Sequence, residues 1–168
     1  MQTIGELETP AQGRHGTWSR RGFLALLLVF VLAGLTGLLG VRTATETDES
    51  AGWGLSLHHA TTARAGLDVP WQVTVTHVGG FDKELTLAVT GDYFDIYETQ
   101  GFTPDPADAT RSGDTLYLTF TAPAGDTFVV AYDAYIQPSS QVGRGGTLSV
   151  LDGGDPVATV HFDTTLLP

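Results

Sequence analysis

Two hydrophobic periods divide the chain. Residues 23–41 are apolar or small throughout and carry no charge; Leu, Val and Phe make up 13 of the 19. At 1.5 Å rise per residue such a segment spans roughly 28 Å as a helix, about the thickness of a bilayer's hydrocarbon core. The pattern predicts one transmembrane helix over 23–41. From Trp53 onward the period becomes two. Trp53, Leu55 and Leu57 alternate with Gly54, Ser56 and His58, and Val69, Trp71, Val73 and Val75 alternate with polar residues or Pro70. The same alternation recurs at Leu85–Leu87–Val89, Leu116–Leu118–Phe120, Leu148–Val150 and Ala158–Val160–Phe162. It is the pattern of half-buried strands. Residues 127–136 are apolar on both parities apart from Asp133, which predicts a central strand.

The punctuation between these runs is of the β type. Gly79-Gly80, Ser112-Gly113-Asp114, Gly145-Gly146 and Asp152-Gly153-Gly154-Asp155 supply turns. No stretch after residue 51 shows a 3.6-residue period. Short strands at this spacing predict an all-β domain, an immunoglobulin-like antiparallel β-sandwich of about seven or eight strands. The segment 116–131, LYLTFTAPAGDTFVVA, resembles the strand–turn–strand corner of fibronectin type III and related domains. The resemblance implies that Phe128 plugs the sandwich edge, and that the domain binds or spaces other molecules.

The domain reading is a disordered cytoplasmic tail (1–22), a transmembrane helix (23–41), an acidic linker (42–52) and an extracytoplasmic β-sandwich (53–168). Arg14, Arg20 and Arg21 precede the apolar run and only Arg42 follows it closely. The bias predicts a single-pass protein of the cell membrane with its N-terminus in the cytoplasm. Ser19-Arg20-Arg21-Gly22-Phe23-Leu24 resembles the twin-arginine export motif, which implies passage in the folded state; two Arg before an apolar helix are also ordinary orientation residues. Cleavage after Ala44 would place Arg42 at −3, where a small residue belongs, so the segment is expected to stay as an anchor. Within it, Ala33 and Gly37, like Thr36 and Gly40, are four apart and suit close approach of a second helix.

Composition narrows the chemistry. Cys is absent, which excludes disulfides, thiolate nucleophiles and Cys metal sites. Asn is absent, which excludes N-glycosylation. Residues 51–168 hold 14 acids against four basic residues. Phosphates and anionic headgroups are repelled by such a surface, so no nucleic-acid partner is expected.

Candidate sites are sparse. By parity His58 and His161 face outward, and with Asp163 they share one surface if the first and last strands are neighbours; imidazole and carboxylate suit zinc or copper. His59 and His77 extend inward-facing lines. Asp105, Asp108 and Asp114 lie in one oxygen-rich loop of the kind that holds Ca²⁺, without EF-hand spacing. Surface histidines and a stiff Pro-containing loop are the plainer readings, so neither metal nor cofactor is assigned. No Gly-x-Ser-x-Gly, His-Glu-x-x-His or phosphate-binding loop is present, and no general acid–base pair stands out, so no enzyme is expected. Tyr93, Tyr97, Tyr117 and Tyr135 fall on the polar parity and are the expected interaction residues, since exposed Tyr is enriched at interfaces. The expected function is a membrane-anchored binding or accessory module that contacts the bilayer and another membrane or envelope protein. The alternative is a metal- or small-ligand-binding domain of the envelope space, exported by the twin-arginine route.

Overall fold

The apolar and alternating segments fall into two compact units, Met1–Leu39 and Gly40–Pro168. The computed structural model describes residues 14–35, 40–98 and 101–167. In the first unit Arg14–Leu35 forms one α-helix, α1. Its segment Gly16–Leu35 is long and apolar enough to cross a membrane. The apolar side chains point to every side: Phe23, Leu26, Leu28 and Phe30 are all exposed. A helix apolar all round is stable only in an apolar environment. The helix starts earlier than the apolar run. Residues 14–22, expected within a disordered tail, are helical, because no Pro interrupts the backbone ladder there. Residues 1–13, Thr36 and Gly37 lie outside the described residues.

The second unit is mostly β. Its strands are β1 (Arg42–Ser50), β2 (Trp53–Arg64), β3 (Asp68–Val69), β4 (Trp71–His77), β5 (Leu85–Thr90), β6 (Phe102–Thr103), β7 (Asp108–Ser112), β8 (Thr115–Phe120), β9 (Thr127–Tyr132), β10 (Ala134–Tyr135), β11 (Arg144–Asp152) and β12 (Asp155–Leu167). A 3₁₀ helix, Gly91–Ile96, follows β5. One sheet runs β6-β9-β4-β2-β12-β11-β5-β8-β7, with β1 added to β2; β3 and β10 form a separate pair. This differs from seven or eight antiparallel strands in two sheets. The sheet is continuous because β12 pairs along its length with β11 and, through Thr165–Leu167, in parallel with Thr62–Arg64 of β2. The sheet also curls. Phe120 of β8 meets Phe128 of β9 with ring centroids 4.9 Å apart, although the two strands stand near opposite ends of the order.

The inward parity builds one core. Leu55, Leu57, Val73 and Val75 from one half and Leu87, Val89, Leu118, Leu148 and Val150 from the other are buried in a single cluster. Each such side chain contributes about 1.5–3 kcal/mol by leaving water. Trp71 is 1% exposed, and its ring meets Phe94 at 5.4 Å and Phe102 at 6.1 Å, both edge-on.

Two expectations are corrected. Residues 42–52 are not a linker. Arg42–Ser50 pairs with β2 along its whole length, and Ala51-Gly52, at φ 52° and 83°, closes a two-residue hairpin. Alternating Thr favours extended backbone, and Asp48 adds a tie by accepting the backbone N–H of Thr159 at 2.7 Å. The acidic composition hid a strand held by its backbone rather than by apolar burial. Residues 127–136 are not a central strand either. β9 stands next to the short edge strand β6, Val129 is 44% exposed, and the run breaks at Asp133.

His59 is 1% exposed, and its Nδ1 lies 3.0 Å from the Ala60 carbonyl, so Nδ1 carries the proton and donates; Nε2 has no partner. A buried polar atom without a partner costs stability.

Urea unfolding of the unit 40–168 tests this architecture. Trp71→Ala is expected to cost about 3–5 kcal/mol and Thr74→Ala under about 1 kcal/mol. Equal losses would mean the core is placed wrongly. His59→Leu is expected to be neutral or stabilising within about 1 kcal/mol, because it removes the orphaned nitrogen along with one hydrogen bond. A loss above about 2 kcal/mol would show that Nε2 is satisfied.

Candidate functional site

The four tyrosines expected at an interface divide. Tyr93 and Tyr97 are 0% and 2% exposed, a correction to the expected interaction role. The parity argument fails because Gly91–Ile96 is a 3₁₀ helix rather than a strand, which turns Tyr93 into the core and resets the direction of Tyr97, the extended residue that caps it. Their hydroxyls form a directed chain. Thr164 Oγ1 donates to the Ala60 carbonyl at 2.6 Å, so its one proton is used. Tyr93, 2.9 Å away, must donate to Thr164, and Tyr97, 2.7 Å from Tyr93, must donate to Tyr93. The chain ties the 3₁₀ helix to β12 and β2. Tyr117 and Tyr135 stay half-buried on β8 and β10.

Burial pushes the Tyr93 hydroxyl above its ordinary value, partly offset by its bonds to Thr164 and Tyr97; nearby Asp163 raises it further. Burial also pushes Tyr97 up, reinforced by Tyr93.

The metal candidates do not converge. His58 Nδ1 lies 3.1 Å from Thr45 Oγ1, and His161 Nδ1 lies 3.3 Å from Thr147 Oγ1. Asp163 is exposed opposite Gly145. Asp108 accepts from Thr110 at 2.7 Å, while Asp105 and Asp114 are exposed. No group of three or more metal-ligating side chains exists among the described residues. On the helix, Arg20 and Arg21 are exposed and Ala33 is half-exposed; Gly40 lies in a bend after it.

The registers put the turn Ala51-Gly52, the loop 78–84, the loop 121–126 and the turn Gly153-Gly154 together at the end opposite Arg42. Gly79 and Gly80 take φ of 100° and 86°, which favours glycine. A Cβ on Gly80 would meet the Gly125 carbonyl at 3.0 Å, so these loops touch through bare backbone. In this end Trp53 stacks on His77 with centroids 4.0 Å apart and planes 16° apart, and Phe81 lies 5.9 Å from Trp53. The His77 Nδ1–H donates to the Gly52 carbonyl at 3.2 Å, which fixes the ring. The three rings line a cleft of about 140 Å³ together with Asp82, Lys83, Glu84 and Asp152. Three broader clefts adjoin it: one shares Gly80, Phe81 and Asp82, one shares Trp53, and one shares Lys83, Glu84 and Leu151.

Parity placed Trp53 and His77 on inward lines but did not show that both stand at strand ends. The loop sequence Phe81-Asp82-Lys83-Glu84 carried no periodic signal at all. No protein-family model matches the chain, and no curated protein matches its sequence.

Two measurements check the tyrosine chain. Above pH 10, the ordinary value of both groups, the unfolded chain loses tyrosine protons that the folded chain keeps. The unfolded state then binds fewer protons, so stability is full below pH 10 and falls above it, by roughly 1.4 kcal/mol per pH unit per tyrosine. Replacing both residues by Phe is expected to flatten that fall; an unchanged slope would contradict the burial. Tyr93→Phe, which strands Tyr97 and leaves Thr164 without its donor, is expected to cost more than Tyr97→Phe, about 1–3 against about 0.5–1.5 kcal/mol.

Proposed function

We propose that the protein is a non-enzymatic, single-pass membrane protein whose β unit works outside the cytoplasm as a binding or accessory module. The observation that carries this is the pairing of an exposed, all-round apolar helix long enough to span a bilayer with a β unit whose core is complete on its own. The first needs lipid and the second needs water, so the membrane surface is where both are satisfied. Arg20 and Arg21, in the helix just ahead of its apolar run, favour a cytoplasmic N-terminus.

The immunoglobulin-like reading of the β unit rests on the buried Trp71, the crossing from β8 to β9 between opposite sheet halves and the Phe120–Phe128 contact. The continuous sheet and the parallel β2–β12 pairing set it apart from a simple two-sheet arrangement.

The test is fractionation and protease protection of cells expressing the full chain. The protein is expected to resist alkaline extraction from membranes, and the β unit is expected to be cut only by protease added outside. A soluble protein lacking α1 would overturn the anchor, and protection of the β unit would overturn the orientation.

A further inference from the structure

The end of the β unit opposite Arg42 is charged differently from the end that bears Arg42. Arg42 pairs opposite Thr62, two residues before Arg64, Arg144 pairs opposite Thr164, and Arg111 reaches Asp92 of the 3₁₀ helix. All four arginines of the unit therefore sit at one end. At the other, Glu49, Asp82, Glu84, Asp126, Asp152 and Asp155 face a single cation, Lys83. Among the described residues the ion pairs are Arg111–Asp92 and Arg144–Asp95, both at the arginine end. Three of these acids, Asp82, Glu84 and Asp152, line one cleft with Lys83 and the aromatic set Trp53, His77 and Phe81, so carboxylates outnumber cations there, and none of the three is in either ion pair. Val78, on the same loop, is 86% exposed.

Resting on the reading of the unit as a binding module, we propose that this cleft seats an arginine side chain presented by a segment of a partner protein. A cleft of about 140 Å³ admits one planar guanidinium but no folded partner, so the arginine enters alone and its flanking residues lie across the rim. A guanidinium stacks on aromatic faces and gives its in-plane N–H groups to carboxylates, which matches a lining of three rings and three carboxylates against one lysine. The apolar Val78 beside the cleft suits the aliphatic part of such a segment. Anionic lipid and nucleic acid are excluded by the same acids.

The probe is a fluorescein-labelled octa-arginine peptide, titrated by anisotropy at low salt against the full chain in neutral detergent. Two charge-matched triple variants separate the site from bulk attraction. Asp82→Asn/Glu84→Gln/Asp152→Asn removes the carboxylates of the cleft, and Asp68→Asn/Asp133→Asn/Asp163→Asn removes three exposed acids elsewhere. The cleft triple is expected to weaken binding about tenfold and the control triple less than about twofold. Phe81→Ala, with the fold checked by circular dichroism, is expected to weaken it about threefold or more. Equal losses in the two triples, no effect of Phe81→Ala, or no binding by the unaltered chain would overturn the site. Free argininamide binding as tightly as the peptide would overturn the protein-segment occupant. Membrane fractionation of the same variants is independent of these outcomes, so the site can fail while the anchored module stands.

Discussion

Strand β12 is the constraint on which the β unit depends. Its 13 residues give one edge to β11 and the end of the other to β2, so it alone makes the two sheet halves one sheet. Its inward residues Ala158, Val160, Phe162, Thr164 and Leu166 are all buried. Phe162 meets Tyr93 at 4.7 Å and His59 at 5.6 Å, so the strand also carries the packing of the 3₁₀ helix against β2. Alternation sets Thr159 and His161 on the other face, where they meet the Ser149 and Thr147 hydroxyls.

The polar interior gathers on the Ala60 carbonyl. It accepts from Thr164 and from the His59 imidazole, and through Thr164 it ends the tyrosine chain. A carbonyl has two lone pairs, and both are used by side chains that arrive from different parts of the sequence. Such a node fixes register, since sliding β12 by one residue would replace Thr164 with Asp163 or Thr165 and empty the core of Phe162.

Much of this architecture was legible in the sequence, and the reasons it was or was not are local. Leu55–Leu57, Val73–Val75, Leu85–Val89 and Leu148–Val150 announced themselves because apolar burial on one face leaves a period of two. Arg42–Ser50 did not, because its pairing is backbone to backbone and its side chains are mostly exposed. Tyr93 and Tyr97 were misplaced because strand parity was carried into and across six residues that are helical, Tyr93 within them and Tyr97 just after. The cleft at the far end was invisible for a different reason: it is made where Trp53, His77, Phe81 and Asp152 come together from four separate segments, and only the registers put them side by side. Strand identity is a one-dimensional property, whereas an end of a sheet is not.

The place of β12 in the sheet has a kinetic side. It is the last strand of the unit in chain order, yet it fills a central position. Until it arrives, β11 and the end of β2 at Thr62–Arg64 lack their partner, and the inner faces of both halves are wet. Thr62 and Thr165, which pair across that joint, are about a hundred residues apart along the chain. Closing so long a loop is slow, so the unit belongs with the folds that close in milliseconds to seconds rather than microseconds. While that joint is open the β unit is a pair of unfinished sheets, and it becomes one sheet only when β12 is in place.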